Sequence, residues 1–461
     1  MKSTLSQFEL LDLASSYSKE YLLNNKASNV FPDGNAIQRL QAFDEIFPQK
    51  GSDPAEMLSM LNDIGSPATV RYGSGKYFGF VNGGVLPAAL AARWIADTWD
   101  QNGALHLMSP VISKLESVCE KWLIDIFKLP EDTACGYVSG SSSASIVALT
   151  AARDYLLHKS GWDAHSQGLF GAPEIKVVIS NNAHSSIYKA LSIVGLGRDR
   201  VIKVPTDSFG RMIVDQIPVL DSSCLVICQA GEVNTGAFDY FEDICSLAKK
   251  ADAWVHVDGT FGLWAAASKQ TYHLYKGAER ADSWAADAHK TLNAPYDTGI
   301  VLCSHRTALV NSMRSTGAYL EFADTRDGML YTPEMSRRAR VVDVWSVLKT
   351  LGSQGLEELV NQLCWNAKAL STMLRNSGFT ILNDVSFNQV LFACNNDEET
   401  KKLLTQAQMS GQIWCGGTMW NSKPAIRMSI CDWSTTIEDI NLAVDVFMKL
   451  LTSIRKESNH A

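Results

Sequence analysis

Short apolar runs without polar alternation recur through the middle of the chain: "KVVIS", "RVIKV", "CLVICQAG", "AWVHVD" and "TGIVLC". Amphipathic stretches such as "SSIYKALSIVG" and "YFEDICSLAKKA" separate them. A strand that carries apolar side chains in succession is buried on both faces. The pattern therefore implies an α/β fold with a mostly parallel sheet covered by helices. A length of 461 residues allows two or three domains, and 46% hydrophobic with 20% charged residues suits a soluble protein with a large core.

The flanks read differently. Residues 1–100 form a helical N-terminal segment joined by polar turns, with "SGKYFGFVNGG" as an irregular, glycine-rich break. Residues 101–344 hold the large α/β domain. Residues 345–461, with long helical stretches around "FTILN", "FNQVLFAC" and "PAIRMSICDW", form a smaller α+β domain.

Net charge is −8, which argues against a general nucleic-acid binder, since such a protein needs a basic face, and leaves room only for a local basic patch. The ten cysteines form no CxxC pair and show no zinc spacing with histidine. They read as buried thiols of a cytoplasmic protein without a metal. The N-terminus interleaves charge with leucine and has no signal-peptide core. No apolar run approaches the roughly 18–20 residues needed to cross a bilayer, so no membrane association is expected.

In open parallel sheets, ligands bind beyond the carboxyl ends of the strands, and four such ends carry reactive side chains here. "GYVSGSSSAS" places Gly140 and Ser141, Ser142 and Ser143 at a helix start, where hydroxyls and free N–H groups hold a phosphate. A serine-rich turn accounts for it equally well. "NNAHSS" puts His184 between a strand and a helix, suited to stacking on a flat ring or to proton transfer, or merely to capping. "WVHVDGT" ends a buried strand in Asp258, whose carboxylate needs a cation or a capping role. "ADAHKTLNAP" sets Lys290 beside His289 between two apolar runs. A desolvated lysine is a Schiff-base nucleophile, and a snorkelling surface lysine fits these flanks poorly. One explanation covers all four. A phosphate cradle, a ring-stacking histidine, an aspartate for a protonated ring nitrogen and an imine-forming lysine make a pyridoxal phosphate site.

With "SGSSSAS", "NAHSS", "HVDGTFG", "DAHK", "SRRAR" and "AIRMS" in hand, the chain from about Tyr77 to the last helix resembles the group II pyridoxal phosphate-dependent amino-acid decarboxylases. These act on aromatic amino acids, histidine or glutamate. The resemblance implies a type I fold and a homodimer with its active site at the subunit interface. It also implies decarboxylation of an L-amino acid to the amine. Ser141, Ser142 and Ser143 would hold the phosphate, with His289 beside it. His184 would stack on the ring, Asp258 would pair with its nitrogen next to Thr260, and Lys290 would form the Schiff base. Asn234 matches a threonine near the cofactor, and Arg427 an arginine of the small domain that faces the site. Phe80, Asn82, Leu105 and His106 would line the substrate pocket. None of these four is a lysine or arginine, which tilts the substrate toward aromatic or other neutral amino acids.

The departures are specific. The family's "NPHKW" reads "DAHKT", placing Asp287 where an asparagine stands, and "HVDAA" reads "HVDGT". The family's loop tyrosine, which returns a proton to Cα, falls on Gly328 in an ungapped match; Tyr331 takes the role across a small gap. The stretch from Ala318 to Met335 is expected to be a mobile lid. Aldehyde-forming, carbon–carbon lyase or aminotransferase chemistry would use the same cofactor residues. A non-catalytic binding protein of this fold is the remaining alternative.

Overall fold

The computed structural model describes residues 5–314 and 325–460. Its strands, in chain order, are β1 (Tyr77–Phe78), β2 (Ala134–Val138), β3 (Lys176–Ser180), β4 (Ile202–Val204), β5 (Cys224–Gln229), β6 (Trp254–Asp258), β7 (Ser283–Asp287), β8 (Gly299–Cys303), β9 (Thr380–Ile381), β10 (Gln389–Ala393), β11 (Trp414–Trp420) and β12 (Lys423–Ser429). Strands β2 to β8 make one sheet in the order β2-β8-β7-β6-β5-β3-β4. Neighbours are parallel except around β8, which runs antiparallel to both β2 and β7.

Every residue of β2, β5, β6, β7 and β8 is buried. Successive side chains leave a strand on opposite faces, so each strand feeds two cores. Val177, Ile179, Leu225 and Ile227 pack with Ala144, Val147 and Ala148 of the helix Ser141–Lys159 on one face. Val178, Val226, Val255 and Val257 pack with Phe241, Ile244 and Trp264 on the other. The carboxyl ends of β2, β3, β5, β6 and β7 share one edge. The segments that leave them carry, in turn, Ser141, His184, Asn234, Thr260 and Lys290. Gly299 opens β8 beside the exit of β2. A Cβ there would meet the Gly140 backbone at 2.5 Å, so only glycine lets the two segments pass.

The smaller sheet has the order β1-β11-β12-β10-β9. It is covered by Val341–Asn376, Asp397–Met409 and Ile437–His460, with Phe379, Phe392 and Phe447 at the centre of its core. Two details differ from the reading of the flanks. The helix Val341–Asn376 runs through the expected boundary at 344–345 and breaks at Gly352, whose φ is +60°. The glycine-rich "SGKYFGFVNGG" supplies β1, which pairs in parallel with Trp414 and Cys415. A two-residue strand whose partner lies over three hundred residues away leaves no local signal. Hence the N-terminal segment also contributes to the small sheet.

All ten cysteines are free and buried. Among the described residues, no helix is long and apolar enough to cross a membrane, and no cluster of His, Cys, Asp and Glu could hold a metal ion.

Candidate active site

A cavity of about 410 Å³ opens at the shared strand edge. Of the residues expected there, it is lined by Phe80, Asn82, Ser141, Ser142, Ser143, His184, Asp258, Thr260, His289 and Lys290. The helix Ser141–Lys159 points its first turn into the cavity. Its N-cap is Gly140, and no side chain of its own caps it. An uncapped first turn presents donors to an anion. The side chain of Asp287, the last residue of β7, meets that turn instead: Oδ1 accepts from Ser141 N at 2.6 Å and Oδ2 from Ser141 Oγ at 3.0 Å.

Lys290 follows β7 by three residues, and its Nζ lies 3.6 Å from Asp287 Oδ2. Gly83 presses on the lysine from the other side; a Cβ there would lie 2.2 Å from the Lys290 carbonyl oxygen. This contact sets the loop bearing Phe80 and Asn82 directly against the lysine. Asp258 ends β6 at 6% exposure. Its Oδ1 accepts from Thr260 Oγ1 at 2.5 Å and Thr260 N at 3.3 Å. No ion pair neutralises it among the described residues. A carboxylate buried this way suits a cationic atom of a ligand.

His184 caps the helix Ser185–Ile193, with Nδ1 2.7 Å from Ser186 Oγ, and its ring lines the cavity. Desolvation by the cavity wall holds its pKa below the ordinary histidine value; Lys290 and Arg427 add to this and Asp258 opposes it. His289 accepts from Thr298 N at 3.2 Å and packs on Tyr296, ring centroids 4.2 Å apart. Burial likewise lowers its pKa. Tyr296 in turn donates to Asn82 Oδ1 at 2.9 Å.

The remaining expected residues lie elsewhere in this chain. Asn234 lines a neighbouring cavity of about 270 Å³ that shares His184 and Val233 with the first. Its Nδ2 donates to Glu232 at 2.8 Å, and its Oδ1 lies 3.5 Å from Arg427 Nη1. Arg427 Nε has no partner, and burial pulls this guanidinium below its usual pKa. Leu105 and His106 do not line the cavity; His106 N donates to Asp327 and its ring faces Ser113 Oγ at 3.2 Å.

Tyr331 is also outside the cavity. Its hydroxyl accepts from Arg306 Nη1 at 3.2 Å, Arg326 lies over its ring at 3.9 Å, and its carbonyl packs on Gly136 in the middle of β2. Gly328 has no room for a side chain, because a Cβ there would fall 1.5 Å from Arg337 Nη2. Residues 318–324 of the expected lid lie outside the described residues. The remainder, residues 325–335, includes Arg326, held by Glu116 at 3.0 Å and Glu120 at 2.6 Å.

Residues 38–395 match the model of the pyridoxal-dependent decarboxylase conserved domain. The chain belongs to the pyridoxal-dependent decarboxylase family. It is similar to the aromatic-L-amino-acid decarboxylase of Bacillus atrophaeus, 25% identical over 88% of this chain and 86% of the relative. It is also similar to the human acidic amino acid decarboxylase GADL1, 26% identical over 77% and 70% of the two chains. Its fold superposes on Oryza sativa TDC, solved with PLP and tryptamine, at a TM-score of 0.90 and 20% identity, covering 98% and 100%. The protein is thus a type I fold enzyme, a pyridoxal phosphate-dependent amino-acid decarboxylase.

The decarboxylase's cavity also holds residues that reading the strand ends left out. Asp287 ends β7 as Asp258 ends β6, although the family pattern marks it only as a replacement for asparagine. Gln229 ends β5, lines the cavity and keeps Nε2 without a partner. Applying the strand-end rule to every strand would have found both. Tyr296 had no such signal; a bend at Tyr296 and Asp297 places its ring against His289.

Proposed function

We propose that this decarboxylase converts an L-amino acid with an aromatic or other neutral side chain to its amine and carbon dioxide, with Lys290 as the covalent anchor of the cofactor. The observation that carries this reading is the convergence of Lys290, Asp258, His184 and the helix start at Ser141–Ser143 on one cavity. When bound, pyridoxal phosphate supplies an acceptor for the electrons left by the departing carboxylate.

The chain's own residues supply the rest. Ser141, Ser142 and Ser143 receive the phosphate. Asp258, buried and without an ion pair among the described residues, holds the ring nitrogen in its protonated form. His184 covers the ring face. Arg427, short of acceptors, is the cation available to a substrate carboxylate from the small domain, with Asn234 orienting it. Phe80, Asn82 and Tyr296 form a neutral wall for the substrate side chain. For the proton returned to Cα, we assign His184, since the hydroxyl of Tyr331 is engaged by Arg306. The chain is further proposed to work as a homodimer, and in the cytoplasm, where ten unpaired cysteines are stable.

Two measurements test the assignment. Borohydride treatment of the loaded enzyme followed by peptide mapping is expected to fix the cofactor on Lys290; a label elsewhere overturns it. A panel of L-amino acids, assayed for carbon dioxide and for amine against aldehyde, is expected to show amine from an aromatic or neutral substrate. Turnover confined to glutamate or aspartate defeats the substrate assignment, and aldehyde as the main product defeats the amine.

A further inference from the structure

Three residues beyond Lys290, Asn293 is fully buried, and both polar atoms of its side-chain amide meet backbone. Its Oδ1 accepts from Gly84 N at 2.8 Å and from Trp433 N at 3.0 Å. Its Nδ2 faces the carbonyl oxygens of Thr291 at 2.9 Å, Cys431 at 3.0 Å and Lys290 at 3.3 Å. Backbone groups have a fixed donor or acceptor sense, so the amide has one orientation here. The main-chain carbonyl of Asn293 adds a bond from Leu86 N at 3.0 Å.

One side chain thus ties together three segments that are remote in sequence. The first is the turn that carries Lys290. The second is the loop before the helix Pro87–Trp99, which bears Phe80 and Asn82. The third leaves β12, the small-domain strand that bears Arg427. Two further contacts close the second segment on the third. Trp433 Nε1 donates to the Val85 carbonyl at 3.1 Å, and a Cβ on Gly84 would lie 2.2 Å from Asp432 Oδ1. The backbone of Asn293 is left-handed, with φ +57°, a conformation that asparagine tolerates better than most side chains. Ser141, Ser142, Ser143, Asp258 and His184, which receive the cofactor, stand apart from these bonds.

We propose that Asn293 is a positioning residue: it holds Lys290 in register with the substrate wall at Phe80 and Asn82 and with the strand that bears Arg427, so that substrate meets the anchored cofactor in one geometry. The inference rests on Lys290 being the cofactor anchor. It goes beyond that reading, because Asn293 does not line the cavity and acts only through the segments it joins.

The test compares the loaded wild type with Asn293→Gly, which accepts the left-handed backbone and deletes only the amide. Cofactor affinity, read by absorbance, is expected to stay within about twofold of the wild type, since the residues that receive the cofactor are untouched. By contrast, kcat/KM per loaded site should fall by about tenfold to a hundredfold, the scale of an ångström's misplacement. A smaller fall overturns the proposal. A residue that merely stabilised the fold would lower the melting temperature and the loaded fraction and leave kcat/KM per loaded site unchanged. Should Asn293→Gly fail to fold, Asn293→Asp takes its place with the same expected loss; it keeps both acceptors but turns a carboxylate oxygen on three carbonyls. If neither folds, hydrogen exchange on the loaded wild type decides. The peptides containing Gly84 and Trp433 are expected to open together, at rates within about threefold, and opening of one without the other overturns the coupling. If borohydride fixes the cofactor on a different lysine, the reading of Lys290 fails and this inference with it. If Lys290 is labelled in both proteins and kcat/KM is unchanged, this inference fails alone.

Discussion

His256 sits in the middle of β6, fully buried, with Nδ1 2.9 Å from Ser283 Oγ and no partner for Nε2. A second proton on that ring would be stranded in the core, and desolvation pushes its pKa down to about 4, against an ordinary 6.5. A base with a depressed folded pKa costs the fold nothing above the unfolded value. The penalty grows as pH falls from 6.5 to about 4, where it reaches roughly 3 kcal/mol. Urea unfolding at neutral pH and near pH 4.5 is therefore expected to show a smaller acid loss in His256→Asn than in the wild type. His184 and His289 shift in the same direction and act in both proteins, so the difference isolates His256. Equal acid losses would refute the assignment. At this scale the site was legible where a residue's own chemistry conflicted with its surroundings, as for Asp258 at the end of an apolar strand or Lys290 between two apolar runs. It was not legible for Asp287, whose meaning lies in a contact 146 residues away.

Among the elements, the helix Pro110–Ile126 does more than its apolar stripe predicts. It carries Glu116 and Glu120, both buried, into a cluster with three arginines. Glu116 binds Arg326 at 3.0 Å and Arg337 at 2.5 Å; Glu120 binds Arg306 at 2.8 Å and Arg326 at 2.6 Å. Arg326 also donates to the Cys135 carbonyl of β2. The cluster fastens the chain on both sides of residues 315–324 to one helix and one strand, and it is the reason Tyr331 stands beside Arg306. Removing one partner of a buried pair leaves the other charge uncompensated. Glu116→Ala is thus expected to lose about 3–5 kcal/mol of unfolding free energy. A loss under about 1 kcal/mol, the scale of an exposed pair, would show the cluster to be solvated. Elements differed in legibility for a related reason. Strands rich in Val and Ile stood out, whereas β2 ("ACGYV"), β7 ("SWAAD") and β11 ("WCGGTMW") mix small residues with single large ones and owe their strand conformation to sheet neighbours, β8 alone for the edge strand β2 and a strand on each side for β7 and β11.

For the whole molecule, one face is unfinished. The helix Gln7–Leu23 has a complete capping box between Ser6 and Glu9, yet none of its residues is buried. Large apolar side chains stand exposed from there through the helix Pro87–Trp99 and on to Met108, with Phe47 at 93% and Leu107 at 89%. A groove of about 380 Å³ between Tyr17, Leu58, Leu61, Leu90 and Trp94 runs through this region. Apolar exposure of this kind is what the proposed homodimer would cover. A second copy, meeting the same face across a two-fold axis, is the occupant proposed above. Leu105 and His106, which miss the cavity of their own chain, lie next to exposed Leu107, and we propose that this pairing brings them to the partner's cavity. Sedimentation at assay concentration is expected to give a dimer, and an active monomer would refute it. Subunit complementation carries the argument further. Lys290→Ala lacks the cofactor anchor, and Leu105→Asp would spoil a wall belonging to the other subunit's site, so each variant alone should be nearly inactive. Mixed after dissociation, they form dimers in which one of the two cavities has both an intact Lys290 and an intact Leu105. Activity should return to about a quarter of the wild-type value for random pairing. Activity no higher than that of the separate variants would place Leu105 outside the partner's site. An active Leu105→Asp dimer would remove it from the substrate wall altogether.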